Sequence, residues 1–376
     1  MVHDLNYDLL GLMPCPVKVP LEQKISEYAQ RVQRESGVRL RYQVYSNAVM
    51  QEDVFAQIDK VESESDLPGI MIAPGFGTFF RPGFTRKFRD TGTFESVFSG
   101  PPSAIFTGAG ILDATGNYDI IAFNPLVFLV NKTACPGLPT PHSWPDLCDA
   151  IYEDKVAVRG HNDTDICEAV LFTLYKAGGE EALRDLGRSC CMRLHPSQMV
   201  KMAKYHAPEA PAVSVLPYSF AHLVQDDHDL EIIWPDDGAI VNPVVMVTKK
   251  NASDAVRSLA RFFVEPEGAQ VFESTGFCSV NPQMQGILPD TARFNWIGWN
   301  FLSSYDIRAF SDELNDIVAQ VFHARKGLPP RSEMVAQRNA MLAARRDKQH
   351  FAGGCDDGDG GVGDPCGENA RQWGLK

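Results

Sequence analysis

Four short segments carry the side chains in this sequence that are best suited to bind a small molecule. They are Pro14-Cys15-Pro16, Gly75-Phe76-Gly77-Thr78, Gly160-His161-Asn162-Asp163-Thr164 and Pro217-Tyr218-Ser219. A thiolate at Cys15 would suit a soft metal or a reactive ligand. The glycines on either side of Phe76 would let the backbone approach a ligand that stacks on the aromatic ring.

The other two segments offer polar side chains. His161 and Asn162 would contact a ligand directly, Asp163 would contact it or cap the following helix, and Tyr218 and Ser219 would offer hydroxyl groups. Each interpretation has a structural alternative, namely a packed cysteine, a packed aromatic ring, a solvated histidine or a simple helix cap.

Each segment follows a predicted strand. These strands are Leu9–Met13, Pro68–Pro74, Lys155–Arg159 and Ala212–Leu216. Ligands of open α/β sheets bind outside the carboxyl ends of the strands. The N–H groups at the start of the following helices favour anions there. The sequence therefore predicts one site built from Cys15, Pro16, Phe76, Gly77, Thr78, His161, Asn162, Asp163, Tyr218 and Ser219.

Strand and helix patterns alternate along the chain. In the N-terminal part, a helix beginning at Pro20 and a strand at Val38–Tyr45 lie between the first two strands named above. This β-α-β order predicts a mainly parallel sheet with helices on both faces. Ile120–Phe123 and Leu126–Val130 are predicted as two strands crossing to a second lobe, and Ile240–Val247 as the return. Asp165 and Glu168 have the spacing of a capping box.

The length and charge of the chain limit its class. A chain of 376 residues exceeds one compact core. We predict a first lobe over 1–124, a second over 125–245, a hinge return with C-terminal helices over 246–350, and a disordered Gly/Asp/Cys-rich tail over 351–376. The net charge of -13 argues against nucleic acid, and the apolar runs are too short for membrane insertion.

The cysteines and the N-terminus suggest a location. Nine cysteines is an odd number, and the adjacent Cys190 and Cys191 are poorly placed for a mutual disulfide. The first residues lack the basic and apolar regions of an export signal. We therefore expect a cytoplasmic protein, or a periplasmic one if a signal has been removed.

Several motifs between Asn131 and Pro282 resemble a known family. They are Asn131-Lys132, Ser143-Trp144-Pro145-Asp146-Leu147, Lys155-Val156-Ala157-Val158, Trp234-Pro235-Asp236-Asp237-Gly238-Ala239-Ile240-Val241-Asn242-Pro243, Glu267-Gly268-Ala269-Gln270 and Gly276-Phe277-Cys278-Ser279-Val280-Asn281-Pro282. In this order they resemble ABC-transporter solute-binding proteins, specifically the ferric-iron-binding branch of the class II periplasmic-binding-protein-like family. The resemblance implies an α/β fold with two lobes, two hinge strands and a ligand in the cleft. Iron-binding members commonly place two adjacent tyrosines where this chain has Tyr218-Ser219, which argues against direct iron binding.

The resemblance implies a solute-binding protein or intracellular ligand sensor that closes on a small molecule, an oxyanion or a metal complex. No cofactor is expected, the protein is expected to be a monomer, and an ABC permease would be its partner if it is exported. A cytoplasmic enzyme on the same fold, similar to menaquinone- or thiamine-pathway enzymes, is the alternative, although no catalytic set of residues stands out. A further alternative is metal delivery through Cys355 and Cys366 in the tail.

Overall fold

The computed structural model describes residues 5–46, 57–161, 165–284 and 288–340. Within these ranges a twelve-stranded mixed sheet forms the centre of the fold. Its strands are β1 Leu9–Met13, β2 Tyr42–Ser46, β3 Ile70–Pro74, β4 Asp119–Asn131, β5 Val156–His161, β6 Asp165–Ile166, β7 Cys190–Leu194, β8 Val213–Pro217, β9 Leu230–Ile233, β10 Ala239–Thr248, β11 Cys278–Ser279 and β12 Phe294–Asn295.

Helices cover the sheet. They are α1 Cys15–Ser36, α2 Pro82–Phe84, α3 Ala104–Gly108, α4 Glu168–Ser189, α5 Pro196–Lys204, α6 Tyr218–Ala221, α7 Asp254–Phe262, α8 Pro266–Ser274, α9 Trp299–Ser304 and α10 Ile307–Lys326. Helix α4 is kinked at Gly179, whose backbone is not helical. None of the described helices is both long and apolar enough to cross a membrane.

Two groups of parallel strands hold six of the twelve strands of the described sheet. In the first strand group, β1 pairs with both β2 and β3. In the second strand group, β5 pairs with both β7 and β8. This confirms the predicted α/β fold with mainly parallel sheets.

The long strands β4 and β10 join the two groups, and we call them the hinge strands. They run antiparallel to each other, with Asn124 opposite Asn242. Strand β10 also pairs with β3 of the first group, and β4 also pairs with β8 of the second. The predicted pair of hinge strands is therefore present, and it links both groups into one sheet.

The register shows how the strand ends are arranged. Pro74, the last residue of β3, lies opposite Val244, while Pro217, the last residue of β8, lies opposite Leu126. Because β3 and β8 run in opposite directions, their carboxyl ends point toward the level of Asn124 from opposite sides. The loops after the two strand groups therefore face the middle of the hinge strands.

Two element boundaries differ from the sequence prediction. Helix α1 begins at Cys15 rather than Pro20, because Pro16 lies in the first turn, where a backbone N–H has no helical partner. Ile120–Phe123 and Leu126–Val130 form the single strand β4. Pro125 does not interrupt β4, since it lies between the segment that pairs with β11 and the segment that pairs with β8.

The chain divides into two compact units. Met1–Phe322 contains the sheet and a large apolar core, in which Phe76, Phe123 and Phe172 are fully buried. His323–Lys376 is the second unit, and its described part includes a helical stretch at 331–340. Within this unit His323 Nδ1 lies 2.6 Å from the carbonyl oxygen of Pro329. The predicted tail at 351–376, with Cys355 and Cys366, lies outside the described residues.

Candidate functional site

The carboxyl ends of the first strand group bring two of the predicted segments to one edge of the sheet. Met13 at the end of β1 lies opposite Ser46 at the end of β2, and β3 runs parallel beside them. Cys15 Sγ lies 3.4 Å from Ser46 Oγ. Pro16 follows Cys15 in the first turn of α1, and both residues are partly buried.

The loop after β3 binds a carboxylate through its backbone. The N–H groups of Phe76 and Gly77 both donate to Glu168 Oε1, the Gly77 bond being 3.1 Å long. The N–H of Gly75 is 2.8 Å from the carbonyl oxygen of Pro243, which ties the loop to β10. This loop therefore presents hydrogen-bond donors at the strand ends, as an anion site requires.

The side chains of this loop point into the protein. The ring of Phe76 is fully buried and contacts Phe80, Phe172 and Trp296 at centroid distances of 5.7 to 5.9 Å. Thr78 is 1% exposed, and its Oγ1 has no hydrogen-bond partner among the described residues. Phe76 thus contributes its N–H to the loop while its ring packs in the core, and ligand stacking on Phe76 stays a prediction.

Glu168 was not predicted as a site residue. The predicted capping box with Asp165 is wrong, because Asp165 lies in β6 and helix α4 begins three residues later, with Cys167 as its N-cap. Glu168 is consequently the first residue of α4, and its side chain reaches the loop after β3. The sequence signal for Glu168 was an acidic residue at the start of a helix, but by itself this pattern indicates only a residue that stabilises the helix N-terminus.

Burial opposes the charge on Glu168. The surrounding protein raises the pKa of this carboxyl group, while the two N–H donors and the Arg159 guanidinium act in the opposite direction. The residue still keeps part of its surface accessible. Glu168 is therefore largely removed from water without being fully enclosed.

Arg159 is the second site residue that sequence reasoning missed. It lies two residues before the end of β5, and its carbonyl oxygen accepts a 3.0 Å hydrogen bond from the N–H of Cys167, next to Glu168. Its side chain is partly buried and forms no hydrogen bond or ion pair with any residue that the structure describes. The sequence signal for Arg159 was a charged residue directly after the apolar run Val156-Ala157-Val158.

The other predicted residues of this loop are only partly described. His161 is the last residue of β5 and pairs with Asp165. Asn162 and Asp163 lie outside the described residues. Their contact with a ligand stays a prediction.

Tyr218 and Ser219 begin α6, directly after β8. Tyr218 is 7% exposed and its ring contacts those of His222 and Trp234. Burial, together with the neighbouring Cys278, raises the pKa of its phenol, which therefore stays protonated at neutral pH. Its hydroxyl group is thus a neutral hydrogen-bonding group.

Ser219 connects the second strand group to the hinge. Its Oγ accepts a 2.9 Å hydrogen bond from Asn124 Nδ2, while Asn124 Oδ1 is buried without a hydrogen-bond partner among the described residues. Gly276 packs so closely here that a Cβ atom on it would lie 2.7 Å from Ser219 Cβ. Asn124 Oδ1 is therefore a buried hydrogen-bond acceptor at the position along β4 toward which the carboxyl ends of β3 and β8 point.

Metal-ligating residues lie elsewhere among the described residues. His206, Asp227 and Asp229 hold ligand atoms within 4.8 Å of one another on the surface. Exposed acidic groups often gather without a cation, so this cluster supports no metal assignment. His195, near Cys190 and Cys191, accepts from the N–H of Ser197 as the cap of α5.

Comparison with known proteins decides the family. The family model for bacterial extracellular solute-binding proteins matches residues 65–305. The chain belongs to this family. The match confirms the predicted resemblance to solute-binding proteins, and the description "extracellular" gives no support to the expected cytoplasmic location. A search of curated proteins gives no match.

Solved structures show the same two-lobed periplasmic-binding-protein fold at low sequence identity. Apo ferric ion-binding protein A of Pasteurella haemolytica is 14% identical, with 83% of this chain and 96% of that chain covered and a TM-score of 0.57. Iron-bound HitA of Pseudomonas aeruginosa is 11% identical, with 82% and 98% covered and a TM-score of 0.56. AfuA of Actinobacillus pleuropneumoniae, with fructose-6-phosphate bound, is 13% identical, with 81% and 95% covered and a TM-score of 0.54. The ferric-iron-binding branch named in the sequence resemblance is thus confirmed at the level of fold.

The motifs that carry the resemblance brace the structure. Trp144 donates from its backbone N–H to Asp237 and from Nε1 to the carbonyl oxygen of Gly238, the latter at 2.8 Å. Gly238 has a φ of 94°, and a Cβ there would lie 2.7 Å from the Phe294 backbone. The motifs around Trp144 and around Asp237-Gly238 therefore stabilise the fold through these contacts.

Proposed function

We propose that this protein is the receptor of an ABC-type transporter and binds a small anionic solute between the two sets of strand ends. Arg159 is the observation that carries the proposal. It is a partly buried cation near the end of β5, it forms no hydrogen bond or ion pair with a described residue, and its charge acts on the buried carboxyl group of Glu168. Closure of the two strand groups around the solute would present a changed surface to a permease.

The hydrogen-bonding groups around Arg159 refine the solute class. Asn124 Oδ1 offers a buried acceptor and the Tyr218 hydroxyl a neutral polar group. Arg159 would bind a carboxylate or phosphate of the solute, since a guanidinium group pairs well with either. Asn124 would accept from a hydroxyl or amine of the same molecule. The proposed solute is therefore an organic anion with at least one hydrogen-bond donor.

Ferric iron fits this chain less well, although one of the similar structures is a ferric ion-binding protein and another is iron-bound HitA. Fe(III) prefers hard, charged oxygen ligands, and here a serine follows Tyr218. The structure with fructose-6-phosphate bound is closer in chemistry to the solute that we propose.

The test begins with the solute itself. Mass spectrometry of the compounds released by denaturing the purified protein identifies the solute, and calorimetry then gives its Kd. Arg159→Gln should weaken binding about 10- to 100-fold, because a hydrogen bond to a charged group contributes about 1.5–3 kcal/mol. A cationic solute, or equal Kd values for wild type and Arg159→Gln, would contradict the proposal.

Arg39→Gln is the matched control. Arg39 is exposed and precedes β2, at the amino end of the first strand group, so the substitution removes the same charge far from the strand ends. Its Kd should equal that of the wild type. A similar loss in both variants would mean that only the net charge of the protein matters.

A further inference from the structure

The loop Gly75–Gly77 already binds an anion, and this anion belongs to the chain itself. Two consecutive N–H groups, those of Phe76 and Gly77, converge on one oxygen of Glu168. Consecutive backbone N–H groups that converge in this way form a concave site for anionic oxygens. Glu168 Oε1 is therefore a ligand of a backbone anion site.

The shape of the loop depends on Gly75. This residue has a φ of 76°, and a Cβ atom on it would lie 2.7 Å from Glu168 Oε1. A side chain here would be strained and would also occupy the position of the carboxylate. A Cβ on Gly77 would make only an ordinary 3.6 Å contact with Glu168 Oε2. Gly75, and not Gly77, is therefore the position where a side chain would disturb the contact between the loop and the carboxylate.

The contact joins the two strand groups directly. The loop follows β3 of the first group, whereas Glu168 begins α4, which follows the β5–β6 pair of the second group. The apolar contact between Phe76 and Phe172 of α4, with ring centroids 5.9 Å apart, lies beside it. The hinge strands connect the two groups by strand pairing. The contact between the loop and Glu168 connects them a second time, at the carboxyl ends of the strands.

We propose that the Gly75–Gly77 loop is a carboxylate-binding site whose ligand is Glu168, and that this contact holds the two strand groups closed. The proposal rests on the proposed receptor function, because closure has a role only if a solute is bound. The charged group that faces Glu168 from the second strand group is Arg159, and the groups from the first are the two N–H donors. These contacts offset part of the cost of removing the carboxylate from water.

Hydrogen exchange at the two loop amides tests the contact without any solute. Nuclear magnetic resonance should show slow exchange for the N–H groups of Phe76 and Gly77 in the wild type. In Glu168→Ala the exchange should be at least tenfold faster, because both donors lose a charged acceptor. The control Glu180→Ala, on the same helix but exposed and paired with Arg184, should leave exchange unchanged.

Added acetate provides a chemical rescue. In Glu168→Ala, acetate should restore protection of the two amides and shift their resonances with saturation, while the wild type should not respond. Glu168→Gln nearly preserves the shape of the side chain, so it tests the contact even if Glu168→Ala folds poorly. Its neutral carbonyl oxygen should give an exchange rate between those of the wild type and Glu168→Ala.

Two results would overturn the proposal. One is equal protection of the amides in wild type, Glu168→Gln and Glu168→Ala. The other is an acetate response that is the same in wild type and Glu168→Ala. Because neither measurement uses a solute, such a failure would leave the role of Arg159 intact, and a failed Arg159 test would leave this contact intact.

Discussion

The loop after β3 and the loop after β5 both follow the carboxyl end of a buried parallel strand, but they offer different atoms to the site. The first presents the backbone N–H groups of Phe76 and Gly77, while its side chains pack inward. On the second side, the Glu168 side chain reaches this loop from the start of α4, and the charge of Arg159 on β5 acts on the Glu168 carboxyl group. One side of the site is made of main chain and the other of side chains.

This difference decides how each side responds to substitution. A backbone site depends on the conformation of the loop, so only a residue that sets φ or adds a clashing Cβ changes it. A side-chain site loses its function when a single charge or hydroxyl group is removed. Glycine substitutions therefore test the first side, and charge or hydroxyl substitutions test the second.

The largest effect is expected for Gly75→Ala on the backbone side. The left-handed backbone costs about 1–2 kcal/mol for a residue with a Cβ, and displacement of the Glu168 carboxylate costs about 1.5–3 kcal/mol more. Urea denaturation should therefore show that the free energy of unfolding falls by about 2.5–5 kcal/mol.

Gly92→Ala separates these two causes. Gly92 has a nearly equal φ of 78°, but nothing lies within 4 Å of a Cβ placed on it. Its cost should be the backbone strain alone, about 1–2 kcal/mol. Equal losses for Gly75→Ala and Gly92→Ala would show that the contact with Glu168 adds no stability.

A smaller effect is expected where the second strand group meets the hinge. Asn124→Ala removes the hydrogen bond to Ser219 Oγ and the buried acceptor Oδ1. Calorimetry should show solute affinity reduced about tenfold, corresponding to about 1.4 kcal/mol. Asn242→Ala, directly opposite on β10, is the control and should have less effect. An equal loss in both variants would assign the effect to the hinge strands in general.

The sequence predicted the parallel strands well because each is a short apolar run bounded by helix or turn signals. Strand β1 begins and ends where predicted, at Leu9 and Met13. Strand β4 was predicted as two strands, Ile120–Phe123 and Leu126–Val130, whereas Asn124 and Pro125 between them belong to the same strand. The partner strands decide this point, since Pro125 falls where β4 changes from β11 to β8 on one edge.

The site was predicted only in part, and the reason is physical. Parallel strand ends share an edge, so the segments containing Cys15 and Gly77 could be placed near each other from the strand pattern alone. The contact between Gly77 and Glu168 joins residues far apart in the sequence, which no local pattern encodes. The same limit applies to Arg159, because no local pattern shows which partners a charged residue has in the folded protein. Local patterns predict elements, whereas contacts between elements define this site.

Tyr218→Phe should have a modest effect on the side-chain side. The substitution removes only a hydroxyl group from a buried ring, so the free energy of unfolding should change by less than about 1.5 kcal/mol. Solute affinity should fall about two- to fivefold if the hydroxyl group contacts the solute. Tyr205→Phe, at a 70% exposed tyrosine, should leave affinity unchanged. Unchanged affinity in Tyr218→Phe would remove this residue from the site.

The smallest effect concerns protonation of Glu168, where the two sides meet. Burial raises the pKa of this carboxyl group above the ordinary value of 4.5, so the folded protein binds the proton more tightly than the unfolded chain. The resulting stability is fully present below the unfolded pKa and is lost as the pH rises through the folded pKa. Gln cannot titrate, so Glu168→Gln lacks this dependence.

Thermal and urea unfolding of the wild type and Glu168→Gln over a range of pH values measures the difference. The free energy of unfolding of the wild type, relative to Glu168→Gln, should fall as the pH rises from about 4.5 through the folded pKa and stay level above it. A difference that instead rises with pH would mean that the N–H donors and Arg159 outweigh burial. The folded protein as a whole would then prefer the carboxylate, whereas the expected fall means that the loop donors and Arg159 offset only part of the cost of burying it.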